Sequence, residues 1–268
     1  MADSILIIGK GKVGSSIAQA IRARNREISD RGIGDRGVDK RMKLSGVFSG
    51  RTKRFPVIQS DVVIIATKDS AIADVAKKAL ASALKPPRIM VHLAGSLPST
   101  VLPGRKGIER LTLHPIQTFS EPNGELLRGI YWMASGSTKA IYWAREFVTD
   151  IGSKGLIVLP AEALPLYHAM TVFSSNFITL LLGAVEEISE ELGQNPKRMK
   201  SALRTLAETA LQNALAEPAS EVLTGPIARK DFETIEKHQR ALKALDPKLK
   251  AIYDGFLSFA LKSGTSKR

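Results

Sequence analysis

Gly9-Lys10-Gly11-Lys12-Val13-Gly14 spells GxGxxG directly after the apolar run Ser-Ile-Leu-Ile-Ile at residues 4–8. Between a strand and a helix each glycine has a task. The first permits a tight turn, the second lets backbone approach a diphosphate, and the third lets helix and strand pack closely. The diphosphate would rest on free amides at the helix amino end, around Lys12 and Val13, where the helix dipole favours an anion. The pattern therefore predicts a dinucleotide cofactor. A carboxylate about 20 residues further on would grip the ribose hydroxyls of NAD. Asp30, Asp35 and Asp39 lie in that range, but in a polar stretch rather than at a strand end. The strand "KLSGVFS" delivers Ser49, Arg51 and Thr52 instead. Two hydroxyls around a guanidinium suit a 2′-phosphate, so NADP is expected over NAD.

Polar residues at the ends of later strands are the next candidates, because ligands of such sheets bind beyond the carboxyl ends of the strands. Thr67 follows "DVVIIA" and should lie near the cofactor's ribose and nicotinamide. His92 and Ser96 follow "RIMV", and His114 and Gln117 flank a proline after "RLTL". Each histidine singly reads as well as a satisfied hydrogen-bonding residue as it does a functional one. Further on, Tyr167, His168, Ser175 and Asn176 fall in one long helical stretch; spacings of seven and eight place His168, Ser175 and Asn176 on one side of it. In "LTGPIARKD" (residues 223–231) a Gly-Pro pair stops a helix, and Thr224, Gly225 and Arg229 together suit a carboxylate. The plainer alternative has Asp231 capping the next helix and Arg229 pairing with a nearby acid.

The elements that must hold these residues follow from hydrophobic patterning. Short apolar runs alternate with amphipathic helices up to Pro160, which implies a parallel sheet with helices on both faces. The second strand is separated from the first helix by a polar, glycine-bearing insertion, residues 25–41. Beyond residue 160 the texture is helical throughout. Its first helix, residues 166–193, has an apolar middle on nearly every side and is expected to be a buried central helix. The expected organisation is a Rossmann domain over residues 1–160 and an all-helical domain over residues 161–268.

The chain has 268 residues, no cysteine and four histidines, none at metal-ligand spacing, so disulfide, thiolate and metal chemistry are not expected. No apolar run approaches the roughly 20 residues of a membrane span, and the cytoplasm is the default compartment. The net charge is +13, and residues 22–54 alone carry eleven basic against four acidic side chains. Without interleaved aromatics this reads as a basic loop that attracts a polyanionic cofactor rather than as a nucleic-acid surface.

Taken in order, "GKGKVG", "GVFSGRT", "HLAGSLPS", "LHPIQTF", "YHAMTVFSSN" and "LTGPIARKD" resemble the Rossmann-like proteins with a C-terminal domain of unknown function. That group is related to pyrroline-5-carboxylate reductase, ketopantoate reductase and 6-phosphogluconate dehydrogenase. The resemblance implies NADP held between a Rossmann domain and a helical dimerisation domain similar to that of 6-phosphogluconate dehydrogenase. It implies hydride transfer at a small carbonyl or imine acid, ketopantoate being the nearest single example. By likeness to ketopantoate reductase, His168 and Asn176 take the places of its lysine and asparagine in an interdomain cleft. His168 would then supply a proton, Asn176 with His114 or Gln117 would orient the carbonyl oxygen, and Arg229 would clamp the carboxylate. Two alternatives stay open: an NADP-binding sensor or assembly protein without turnover, and hydride exchange with a deazaflavin partner.

Overall fold

A computed structural model describes residues 3–30, 42–51 and 55–262. Strand β1 (Ser4–Ile8) feeds helix α1 (Lys12–Asp30), and β2 (Lys43–Phe48) and β3 (Val62–Ile65) follow. After α2 (Ile72–Ala81) come β4 (Ile89–His92), β5 (Glu109–Pro115) and β6 (Tyr131–Gly136). Helix α3 (Thr138–Asp150), β7 (Gly155–Val158) and α4 (Leu164–Ser174) complete this part. The seven strands form one sheet in the order β2-β1-β3-β4-β5-β6-β7.

Strands β1, β3 and β4 are buried on both faces, which is why they are apolar without alternation. Ile5, Ile7, Val62 and Ile64 pack with Ile17, Ile21, Trp143 and Phe147 on one side. Leu6, Ile8, Val63 and Ile65 pack with Ile72, Val75 and Ala79 on the other. The sheet is parallel except that β6 runs antiparallel to β5. The expected wholly parallel sheet is thus corrected at its far edge. A parallel return needs a crossover of a dozen or more residues, usually a helix, and only a short 3₁₀ turn at Glu125–Leu127 lies between these strands.

Helix α1 continues to Asp30, so the first part of the expected insertion, residues 25–30, is helical. Ile28 is buried, and the Asn25 amide donates to the carbonyl of Met42 at 2.7 Å, which ties this last turn down. The rest of the insertion lies outside the described residues, as do Thr52, Lys53 and Arg54.

The chain separates into two compact units, Met1–Phe173 and Ser174–Arg268. The second consists of α5 (Asn176–Glu191), α6 (Pro196–Ala216), α7 (Ala219–Val222), α8 (Gly225–Arg229), α9 (Phe232–Leu245) and α10 (Pro247–Lys262). Two expectations fail here. The long helix is broken: Ser175 has φ −137° and ψ −62°, and its hydroxyl donates to Asn176 Oδ1 at 3.0 Å. Serine and asparagine satisfy local polar groups outside helical geometry, so a Ser-Ser-Asn run is where a helix yields. His168 therefore does not share a helix face with Ser175 and Asn176. Nor is the apolar middle buried: Leu180, Leu181 and Leu182 are all exposed. Within residues 161–191 one window is apolar enough, by length and composition, to cross a membrane, with mean hydropathy 1.4.

Candidate functional site

The parallel strands β1, β3, β4 and β5 present their carboxyl ends along one edge of the sheet. At β1 the chain turns at Gly9, whose φ is +135° and whose amide donates to the carbonyl of Phe48 at 2.7 Å. A Cβ at Gly9 would lie 2.1 Å from the Ala66 carbonyl oxygen, and one at Gly14 would lie 2.2 Å from the Gly9 carbonyl oxygen. Both positions therefore require glycine by packing. Gly11 differs: a Cβ there would meet nothing within 4 Å. Open space over Gly11, beside a helix whose first turn holds no carboxylate, fits the approach of a diphosphate. Lys10 and Lys12 are exposed beside it.

Two neighbouring features fit the rest of a dinucleotide. Thr67, just past β3, has its hydroxyl oxygen buried without a hydrogen-bond partner; a buried hydroxyl normally has one. The turn after β2 lies against it, since a Cβ on Gly50 would sit 2.5 Å from the Thr67 methyl carbon. In that turn the Ser49 hydroxyl accepts from the Arg51 amide at 3.3 Å. Arg51 is exposed and makes no ion pair with a described carboxylate. No described carboxylate stands at this strand end.

His92 ends β4 and is fully buried. Its Nδ1 accepts from the Ala94 amide at 3.3 Å, and Nε2 lies 3.2 Å from the Pro98 carbonyl and 3.0 Å from Thr112 Oγ1. Both ring nitrogens are thus engaged in shaping the loop 92–98, and burial pushes the imidazole pKa down to about 4. The loop so shaped carries Gly95, which is buried, and Ser96, which is partly exposed.

Gly95 is where two predicted residues meet. A Cβ on it would lie 3.0 Å from Cδ2 of His114 and 3.0 Å from Cδ2 of His168. The two imidazoles have centroids 6.1 Å apart, edge to face. Tyr167 joins them, its hydroxyl 2.8 Å from His114 Nδ1 and its ring at 83° to the imidazole. The antiparallel register explains the meeting. It sets His114 of β5 against Met133 of β6, and Leu164 and Tyr167 of α4 pack on Met133. Burial, then the neighbouring His168, push the His114 pKa down to about 4. Burial raises the Tyr167 phenol to about 12. At neutral pH His114 and Tyr167 are therefore both uncharged, one imidazole and one phenol sharing a hydrogen bond.

The remaining candidates lie on other elements. Gln117 is exposed and uses its amide within its own loop, donating to the Leu126 carbonyl at 3.4 Å and accepting from the Thr118 amide at 2.8 Å. In the second unit, Gly225 has φ +78° and opens the short helix α8, with Thr224 extended before it. Asp231 caps α9, accepting from the Thr234 amide at 3.1 Å and its hydroxyl at 2.8 Å. Those bonds, and more weakly Arg229, hold the Asp231 carboxyl below its usual range. Arg229 is exposed. Sequence reasoning noted Tyr167 without giving it a role, and missed Gly95. A tyrosine beside a histidine on a helix signals nothing until its partner, 53 residues away, is known.

A cavity of about 790 Å³ opens at the opposite edge of the sheet, lined in part by Ile5, Ile89, Glu109 and Trp143. The geometry of the carboxyl edge, rather than this cavity, marks the site. A glycine cradle at the head of α1, with a proton-carrying ring cluster on the same strand ends, defines a Rossmann-type NADP oxidoreductase.

Comparison with known proteins carries this further. Residues 4–94 match the family described as NADP oxidoreductase, coenzyme F420-dependent, and residues 130–257 match a domain of unknown function, DUF2520. The chain thus carries an NADP-oxidoreductase domain followed by this second domain, and it is homologous to pyrroline-5-carboxylate reductase. The Pseudomonas aeruginosa enzyme of that name is 27% identical over 236 residues, 84% of this chain and 82% of the relative. Among solved structures, a candidate NADP oxidoreductase from Bacteroides fragilis aligns with TM-score 0.73 and 19% identity over 99% of both chains. Plasmodium falciparum pyrroline carboxylate reductase with NADP bound aligns with TM-score 0.57 and 12% identity, over 93% of this chain and 97% of that one.

Proposed function

We propose that this chain uses NADPH to reduce the C=N or C=O bond of a small carboxylate-bearing substrate, a cyclic imine or a 2-oxo acid of ketopantoate type. The observation that carries the reading is the convergence of His114, Tyr167 and His168 around Gly95, on the sheet edge that carries the glycine cradle. NADPH, when bound, supplies the hydride.

The chain's own residues do the rest. Amides at the head of α1, under the open face of Gly11, hold the diphosphate. Thr67 offers its unpartnered hydroxyl to the cofactor, and Ser49 with Arg51 receives the 2′-phosphate. Reduction of the C=N or C=O bond would place negative charge on the substrate nitrogen or oxygen. His168 would donate a proton there, which completes the product amine or alcohol. His114, held uncharged, polarises the same bond without competing for that proton.

We further propose that a second copy of the chain covers the apolar helices of the second unit. Leu180 on α5 and Leu206 and Leu215 on α6 are each about two-thirds exposed or more, more than an isolated chain in water favours when clustered. A dimer on sedimentation supports this; a monomer, or a need for detergent, counts against it.

The test of the main reading is NADPH oxidation by the purified chain with a panel of cyclic imino acids and 2-oxo acids. Turnover of a member of the panel is the expected result. Tight NADPH binding with no turnover, or reduction of a deazaflavin alone, would overturn it.

A further inference from the structure

One group in this centre has no part in the proton transfer just described: the buried phenol of Tyr167. Its hydroxyl has a single hydrogen-bond partner, His114 Nδ1 at 2.8 Å. His114 Nε2 has no partner among the described residues and is not fully buried. Two proton arrangements fit one Tyr–His bond. If Nδ1 carried the proton and donated, the phenol proton would have no acceptor although Tyr167 is only 5% exposed, and a buried donor without an acceptor is costly. If the phenol donates to Nδ1, every buried proton is placed and Nε2 carries the remaining N–H.

We infer that Tyr167 is a positioning residue: it fixes His114 as the Nε2–H tautomer and aims that neutral N–H donor at the nitrogen or oxygen being reduced. The inference rests on the proposed reductase reading for its purpose, and on hydrogen-bond accounting alone for its geometry. Three features support it. The edge-to-face ring contact at 5.7 Å fixes the imidazole plane. Leu164 and Tyr167 are anchored on Met133, the cross-strand neighbour of His114, so the phenol cannot drift from the ring it serves. Burial and the adjacent His168 disfavour the imidazolium, which keeps the ring neutral.

Nitrogen NMR of the histidines tests this directly, since the chain has only four. In the wild-type protein without substrate, His114 should show an unprotonated Nδ1 and a protonated Nε2, assigned by the signal missing in His114→Gln. The Nδ1–H tautomer, or an imidazolium at neutral pH, would overturn the inference whatever the activity assays show. Tyr167→Phe should then shift His114 towards a mixture of tautomers and lower kcat by about tenfold or more, with KM for NADPH unchanged. A purely structural tyrosine would leave the tautomer as in wild type, and that result also overturns it. The tautomer is read without turnover, so a protein with the expected tautomer but no activity would count against the reductase reading and not against this one.

Discussion

Gly95→Ala puts the geometry of the ring cluster under the most direct strain. The added methyl carbon would stand 3.0 Å from Cδ2 of both His114 and His168. Carbon pairs rest at about 3.5–4.0 Å, so each of the two rings must give way by roughly 0.5 Å. His114 does not retreat freely: it is held by Tyr167, and Tyr167 is packed on Met133 with Leu164. Misplacement by about 1 Å costs on the order of a hundredfold in rate, so a shift of about half that should lower kcat by roughly tenfold. Overpacking should also destabilise the fold by about 1–3 kcal/mol. The substitution leaves the glycine cradle itself unaltered, so the dissociation constant of NADPH should change little. The assay pairs steady-state kinetics with cofactor titration by fluorescence and a thermal melt. A variant with wild-type kcat would show that the two imidazoles need not converge, and the account of the site would fall.

Other perturbations separate the remaining roles. Arg51→Ala should weaken NADPH binding by about ten- to a hundredfold, through loss of a charge-assisted contact, while NADH binding stays unchanged; equal loss of both would refute the phosphate assignment. His168→Ala should lower kcat by about 10²–10⁴-fold with little change in NADPH affinity, and an unchanged kcat would remove it as the acid. The pKa values of His92 and His114 are depressed in the fold to about 4 from 6.5. The unfolded chain therefore binds more protons between those values, and the stability tied to neutral histidine is present above pH 6.5 and lost as pH falls towards 4. Each contributes on the order of 3 kcal/mol; denaturant melts at pH 7 and pH 4.5 measure it, and equal midpoints would contradict it.

Much of the cofactor half was legible because its chemistry is local. GxGxxG constrains backbone within six residues, and the structure gives Gly9 and Gly14 a packing reason and Gly11 open space. Strands β3 and β4 were legible because burial on both faces demands continuous apolar residues. Strand direction was harder. Apolar patterning is the same for either direction, and the signal for an antiparallel β6 lay in the missing helix between it and β5. The break at Ser175 was hidden because an apolar stretch outweighs three polar residues in a periodicity argument, although those residues end the helix. The ring cluster was the least legible. His114 and His168 were each visible as residue types, but their meeting depends on β5–β6 register, on α4 docking against Met133, and on a glycine whose role is to have no side chain.

The central claim is that hydride passes from NADPH to the carbon of a small imine or carbonyl acid at this site. Its most direct measurement is a turnover with NADPH deuterated at the nicotinamide C4, followed by mass spectrometry and NMR of the product. The account predicts one deuterium on the former C=N or C=O carbon and its near disappearance in His168→Ala over the same interval. Tight NADPH binding with no deuterium in any substrate of the panel would contradict it.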